Sequence, residues 1–119
     1  MAGARMRRVN EVLREVVGAA VSTDLSDPRI GFVTVTSVET SPDLRTAKVY
    51  VSVLGDEDER ESSLAALRSS HGVIQSRIAA ETRMKRTPTL TFHYDDTVEQ
   101  GVRISHLLED DPADREPPR

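Results

Sequence analysis

Residues 45–53 alternate with a period of two: Ala47, Val49, Val51 and Val53 fall on one side, Thr46, Lys48, Tyr50 and Ser52 on the other. Successive side chains of a strand point to opposite faces, so this segment is a strand with one buried and one wet face. The preceding segment, 31–40, is rich in β-branched residues and reads as its partner. Val33 and Val35 share a face there while Val38 falls on the other, a conflict that a bulge near Thr36–Ser37 resolves. Ser41-Pro42-Asp43 supplies the turn of the hairpin.

A hairpin with one apolar face needs a cover. Met6, Val9, Leu13, Val16, Val17, Ala20 and Val21 recur at spacings of three and four, which predicts an amphipathic helix ending before Asp27-Pro28. Arg7 and Arg14, seven apart, share a side of that helix off the stripe. The acidic run Asp56–Glu61 heads a second helix carrying Leu64 and Leu67, where negative charge suits the N-terminus. Gly72 interrupts the pattern, which resumes through Val73, Ile74, Ile78 and Met84. Pro88 opens a third strand with Leu90, Phe92 and Tyr94 on one face. Asp96 as cap, with Glu99 reaching back, starts a short helix bearing Val98, Val102, Ile104, Leu107 and Leu108. From Asp110 onward the composition turns to Asp, Glu, Arg and Pro. The expected architecture is α+β: helix, strand, strand, helix, helix, strand and a short C-terminal helix, with the helices on one face of a three-stranded sheet. One domain over 1–109 and an acidic disordered tail over 110–119 complete it.

With no cysteine, the chain has no disulfide, thiolate nucleophile or cysteine-ligated metal, which fits a reducing compartment. The basic N-terminus leads into no apolar run, and no segment approaches the roughly 20 apolar residues of a membrane span, so the expected location is the cytoplasm. Phosphate-loop, nucleophile-elbow and zinc-protease signatures are all missing. His71, His93 and His106 lie on three different elements without ligand spacing, and Asp95-Asp96 reads as helix capping. No catalytic residue, metal or cofactor is expected.

The net charge of −4 argues against a polyanion as partner until its distribution is considered. Asp56–Glu61 carries −4 and Glu109–Arg119 carries −3, so the remainder is +3. Positive charge gathers in 1–14 (Arg5, Arg7, Arg8, Arg14) and in 77–86 (Arg77, Arg83, Lys85, Arg86), with Arg45 and Lys48 on the hairpin. Local field, rather than net charge, decides binding. Fourteen of the sixteen basic residues are arginine, whose planar fork suits phosphate, although genomic base composition also produces an arginine excess. Aromatics are only 3% of the chain, so RNA binding would rest on charge and backbone shape more than on stacking. At Ser70-His71-Gly72 two helical patterns abut with hardly any loop. Gly72 either permits a sharp bend that offers backbone N–H groups to a phosphate or merely caps the preceding helix.

Several of these segments form a familiar succession: Val9-Asn10-Glu11-Val12-Leu13-Arg14-Glu15, Asp27-Pro28-Arg29-Ile30-Gly31, Ser41-Pro42-Asp43-Leu44, Ala47-Lys48-Val49-Tyr50-Val51, the strand Pro88–Asp95, and Gly101–Leu108 with Arg103, Ile104 and Ser105. In order and spacing the chain resembles the bacterial ribosome-binding factor A family from about Arg5 to Leu108. The resemblance implies a type II KH-like fold and a monomer that binds the free 30S subunit. It implies a role in late 16S rRNA maturation, including 5′-end processing, together with cold adaptation and release by a partner GTPase. It places RNA binding on a positive face around the kink between the second and third helices, where the family has Ala-x-Gly and this chain has Ser70-His71-Gly72. Of other classes, a BolA-like module shares the element order but would need His93 as an iron–sulfur ligand, and nothing around it suggests a metal site. A small hydrolase lacks any nucleophile or metal motif.

Overall fold

The computed structural model describes residues 2–97. Helix α1 (Ala2–Ala19) runs directly into a π-helical turn (Ala20–Asp24), followed by β1 (Val33–Thr40), β2 (Thr46–Val53), α2 (Glu57–Ser69), α3 (His71–Glu81) and β3 (Thr89–Tyr94). The element order is the one expected, and the fold is KH-like α+β. The expected short C-terminal helix, its Glu99 and the 110–119 tail lie outside the described residues.

The sheet has the order β1-β2-β3, with β1 and β2 antiparallel and β2 and β3 parallel. Its inner face is Val35, Val38, Ala47, Val49, Val51, Val53, Leu90 and Phe92, all buried. Helices close over that face alone: Leu13, Val16, Val17, Ala20 and Val21, then Leu64 and Leu67, then Ile74 and Ile78, complete a single core. The register shifts between Val35 and Ser37. Thr36 is the extra residue, so Val35 and Val38, three apart, both turn inward. Thr36 also ties the strand down, its hydroxyl 2.6 Å from Asp95 Oδ2. Asp95 in turn accepts from the Thr97 amide at 2.9 Å. These hydrogen bonds, that from Thr36 first, hold the Asp95 carboxyl below its ordinary pKa.

Helix α2 begins as its acidic sequence dictates. Asp56 Oδ1 accepts from the Glu59 amide at 2.8 Å, and Glu59 Oε1 accepts from the Asp56 amide at 3.0 Å, a reciprocal capping box. Gly55 precedes it at φ 137°, where an added Cβ would meet the Glu59 carboxylate at 2.7 Å. Ser63, the buried polar residue of α2, lies 3.3 Å from the Arg29 carbonyl oxygen and so fixes the 27–31 loop. Two arginines of α2 serve the fold: Arg68 donates to the Phe92 carbonyl at 3.0 Å, and the Arg60 guanidinium stacks 3.8 Å above the Tyr94 ring. Among the described residues no helix is long and apolar enough to cross a membrane.

The capping box carries the start of α2 without help from the core. Asp56→Ala is expected to lower stability by about 1 kcal/mol, read from urea unfolding at constant m-value.

Candidate nucleic-acid interface

Parallel pairing brings the start of β3 to the start of β2, where the Thr89 amide donates to the Arg45 carbonyl at 2.9 Å. The connection 82–88 therefore lies beside the β1–β2 turn, and the N-terminal half of α1 closes the third side. Between them is an open cleft of about 720 Å³. Arg5 and Arg8 from α1, Arg45 from the turn, and Arg83, Lys85 and Arg86 from the connection form its rim. Val9, Val12, Leu13, Leu44 and Met84 form its floor.

Each wall is fixed by local chemistry. Arg5, Arg8 and Val12 follow one another at helical spacings on α1, beside the core stripe. In the turn, Asp43 Oδ1 accepts from the Arg45 amide at 3.1 Å and from the Ser41 hydroxyl at 2.7 Å. Those bonds, the serine's first, hold the Asp43 carboxyl below its usual pKa. Leu44 follows at φ 62°, the left-handed region that disfavours a branched side chain. The connection is pinned at both ends: the Thr82 amide and hydroxyl donate to the Ile78 carbonyl at 2.9 and 2.8 Å, and Gln75 Nε2 donates to the Pro88 carbonyl at 3.1 Å.

The rim is electropositive and open. Asp43, 3.9 Å from Arg45 Nε, is the one carboxylate lining it among the described residues. Among those residues no carboxylate lies within ion-pairing distance of Arg5, Arg8, Arg83, Lys85 or Arg86. Unpaired cations around a concave apolar surface focus an attractive potential for anions.

The other sequence candidates sit elsewhere. Arg7 is exposed on α1 away from the cleft, and Arg14 pairs with Glu11 on the same helix. Lys48 lies on the outer face of the sheet, opposite Glu39 and Thr91. Ser70, His71 and Gly72 mark the start of α3, whereas Arg83, Lys85 and Arg86 follow its end. Eleven residues at 1.5 Å each separate the two groups by about 16 Å. Arg77, midway, is turned into the fold: it donates to Asp24 Oδ1 at 2.8 Å and Thr23 Oγ1 at 3.1 Å and pairs with Glu81. Glu81 first and Asp24 second hold the guanidinium above its ordinary pKa.

The bend is not made by Gly72, and Gly72 does not cap α2. Ser70 is the pivot, at φ −97° and ψ 11°, donating its amide back to Ala66 at 3.0 Å and accepting from Val73 and Ile74 at 3.1 and 3.3 Å. Gly72 is the second residue of α3 rather than a cap, has no positive φ, and an added Cβ there would meet nothing. The bend therefore makes no demand for glycine. His71 Nδ1 donates to the Arg68 carbonyl at 2.9 Å, and among the described residues no group of three ligand side chains could hold a metal ion.

The apolar floor escapes a sequence-based search for charge. Val12 is its one visible trace, an apolar residue off the helical stripe that is 44% exposed in the fold.

Residues 5–108 match the family model described as ribosome-binding factor A. A protein of that name from Desulfitobacterium hafniense is 45% identical over 108 residues, 91% of this chain and 86% of its own. The crystal structure of ribosome-binding factor A from Thermus thermophilus is similar at a TM-score of 0.68 and 28% identity, over 75% of this chain and 93% of that one. A homology model of the Thermus thermophilus factor, fitted into the cryo-EM map of its complex with 30S, gives 0.62 at 29% identity, over 72% and 90% of the respective chains.

Two substitutions on α3 separate scaffold from surface. Gly72→Ala is expected to leave the fold intact and to raise stability by up to about 1 kcal/mol, since alanine is the better helix former. Arg77→Ala is expected to lower the thermal midpoint, and a double-mutant cycle with Asp24→Ala should show coupling between the two.

Proposed function

The chain belongs to the ribosome-binding factor A family, and from that premise we propose that it is a non-catalytic assembly factor acting on the free 30S subunit. It binds 16S rRNA and promotes late maturation, including processing of the 5′ end. The six-cation rim, five of whose members have no carboxylate partner in the described fold, carries this assignment. Arg5, Arg8, Arg45, Arg83, Lys85 and Arg86 neutralise phosphates and release their condensed counterions, which supplies affinity without reading sequence. Arg7, Lys48 and the Ser70-His71-Gly72 bend are outlying contacts reached by the same strand or a neighbouring one.

Holding RNA by its backbone on three rigid walls biases an rRNA segment toward the conformation that fits, which is how a protein without an active site assists maturation. Residues 1–109 are the ribosome-binding unit, a cytoplasmic monomer, with the acidic 110–119 tail outside it. Its role grows in the cold, when misfolded rRNA is slow to rearrange, and a ribosome-associated GTPase releases it from the mature subunit.

Co-sedimentation with 30S, 50S and 70S particles across a salt series tests this directly. The wild-type chain should associate selectively with free 30S. Replacing Arg83, Lys85 and Arg86 together by alanine should weaken that association and lower the slope of log K against log salt by roughly two to three. Unchanged binding by the triple variant would overturn the assignment of the rim.

A further inference from the structure

Phosphate binding accounts for the rim of the cleft, and the core accounts for Leu13, Val9 and Met84 of its floor, but neither accounts for Val12 and Leu44. A surface that only gathers phosphates gains nothing from exposed aliphatic groups, yet Val12 stands 44% exposed in mid-helix between the basic walls. Leu44 is the stronger sign. At φ 62° the turn asks for glycine or asparagine, and a leucine there is strained. Strain of this kind persists where the side chain is needed, and this one lines the cleft beside Met84. A cleft of about 720 Å³, apolar below and carrying a few convergent charges above, has the size and composition of a site for a small amphiphilic group.

We propose that the cleft receives an unpaired nucleotide of single-stranded RNA, its base lying against Val12, Leu44 and Met84 and its flanking phosphates held by the arginines of the rim. The proposal rests on the reading that RNA occupies the rim and adds which kind of RNA does so. A base and its two neighbouring phosphates combine one flat apolar body with charge on either side, which matches a floor bordered by cations from three separate elements. In a duplex the bases are stacked inside, and the faces that would meet this floor are covered. The site therefore selects loops, bulges and unpaired ends. Because the floor offers aliphatic groups in place of hydrogen-bonding ones, it accepts any of the four bases.

The full chain is titrated with four probes: an unstructured RNA octamer, an abasic octamer with the same ribose–phosphate backbone, a blunt RNA duplex of equal charge, and an acidic leucine-bearing peptide. The base-bearing octamer should bind about tenfold more tightly than the abasic one, the low end of what a base gains on an aromatic platform. Val12→Gln and Leu44→Gly should each erase most of that preference while leaving the salt dependence unchanged. Both keep the fold testable, since Val12 is exposed on its helix and glycine suits the Leu44 backbone. Arg83→Ala with Arg86→Ala should instead weaken both octamers alike. Equal affinity for the two octamers, with a steep salt dependence, would overturn the nucleotide site and leave the phosphate rim standing. Tighter binding of the duplex or the peptide than of the octamer would also overturn it. A wild-type chain that binds no RNA at any salt concentration would remove the rim and the nucleotide site together.

Discussion

The parallel pairing of β2 with β3 is the constraint on which the rest of the structure depends. Two parallel neighbours cannot be joined by a tight turn, so the chain leaving Val53 must travel back the length of the sheet before β3 starts. Helices α2 and α3 make that return, and in doing so they cover the apolar face that the alternation in β2 creates. The return also delivers residues 82–88 to the start of β2, against the β1–β2 turn. The cleft follows from this topology: the crossover brings the connection 82–88 beside the β1–β2 turn, and the N-terminal half of α1, packed on the same face, closes the third side.

Charge is divided along the same lines. The arginines that face the core or its edges are committed to the scaffold: Arg68 to the Phe92 carbonyl, Arg60 to the Tyr94 ring, Arg77 to Asp24, and Arg29 to Asp27, whose carboxyl it holds below the usual pKa. The acidic run after Gly55 is used where it stands, at the N-terminus of α2, where it completes the capping box. What is left over at the other end of the sheet is positive. Of the net charge of −4, residues 1–97 carry only −1, and because Asp56–Glu61 alone supplies −4 at the start of α2, the remainder of that stretch is +3.

Much of the fold was legible because it rests on short-range patterns. Alternation at 47–53 marks the buried face, and the misfit of Val35 with Val38 marks the bulge that the register shows. The acidic run Asp56–Glu61 marks the start of α2 by its charge, whereas the reciprocal capping of Asp56 and Glu59 is seen in the fold. The site was less legible because its determinants are long-range. Arg77 looks like any other helical arginine until Asp24, 53 residues away, is brought beside it. Gly72 resembles a conformational hinge because glycine usually is one, but the bend is carried by the backbone of Ser70. Arg83, Lys85 and Arg86 follow the bend in the same helical pattern of the sequence, and the whole of α3 separates them from it.

The strain at Leu44 and the rigidity around it belong to one argument. Long arginine side chains lose rotamer freedom when they grip a phosphate, about 0.5–1.5 kcal/mol for each one immobilised. A binding surface whose backbone is already in place adds no further ordering cost to that one. Here the connection 82–88 is pinned by Thr82 and Gln75, the turn is pinned by Asp43, and α1 is packed into the core through Leu13, which is 1% exposed. The same pinning that fixes the rim holds Leu44 in a conformation it would not choose, because the Asp43 turn and the antiparallel register between Thr40 and Ala47 leave the backbone no alternative. Leu44 is a side chain held in place at a cost to the local backbone and outside the core cluster, and as such it is understood as part of the surface that meets the ligand.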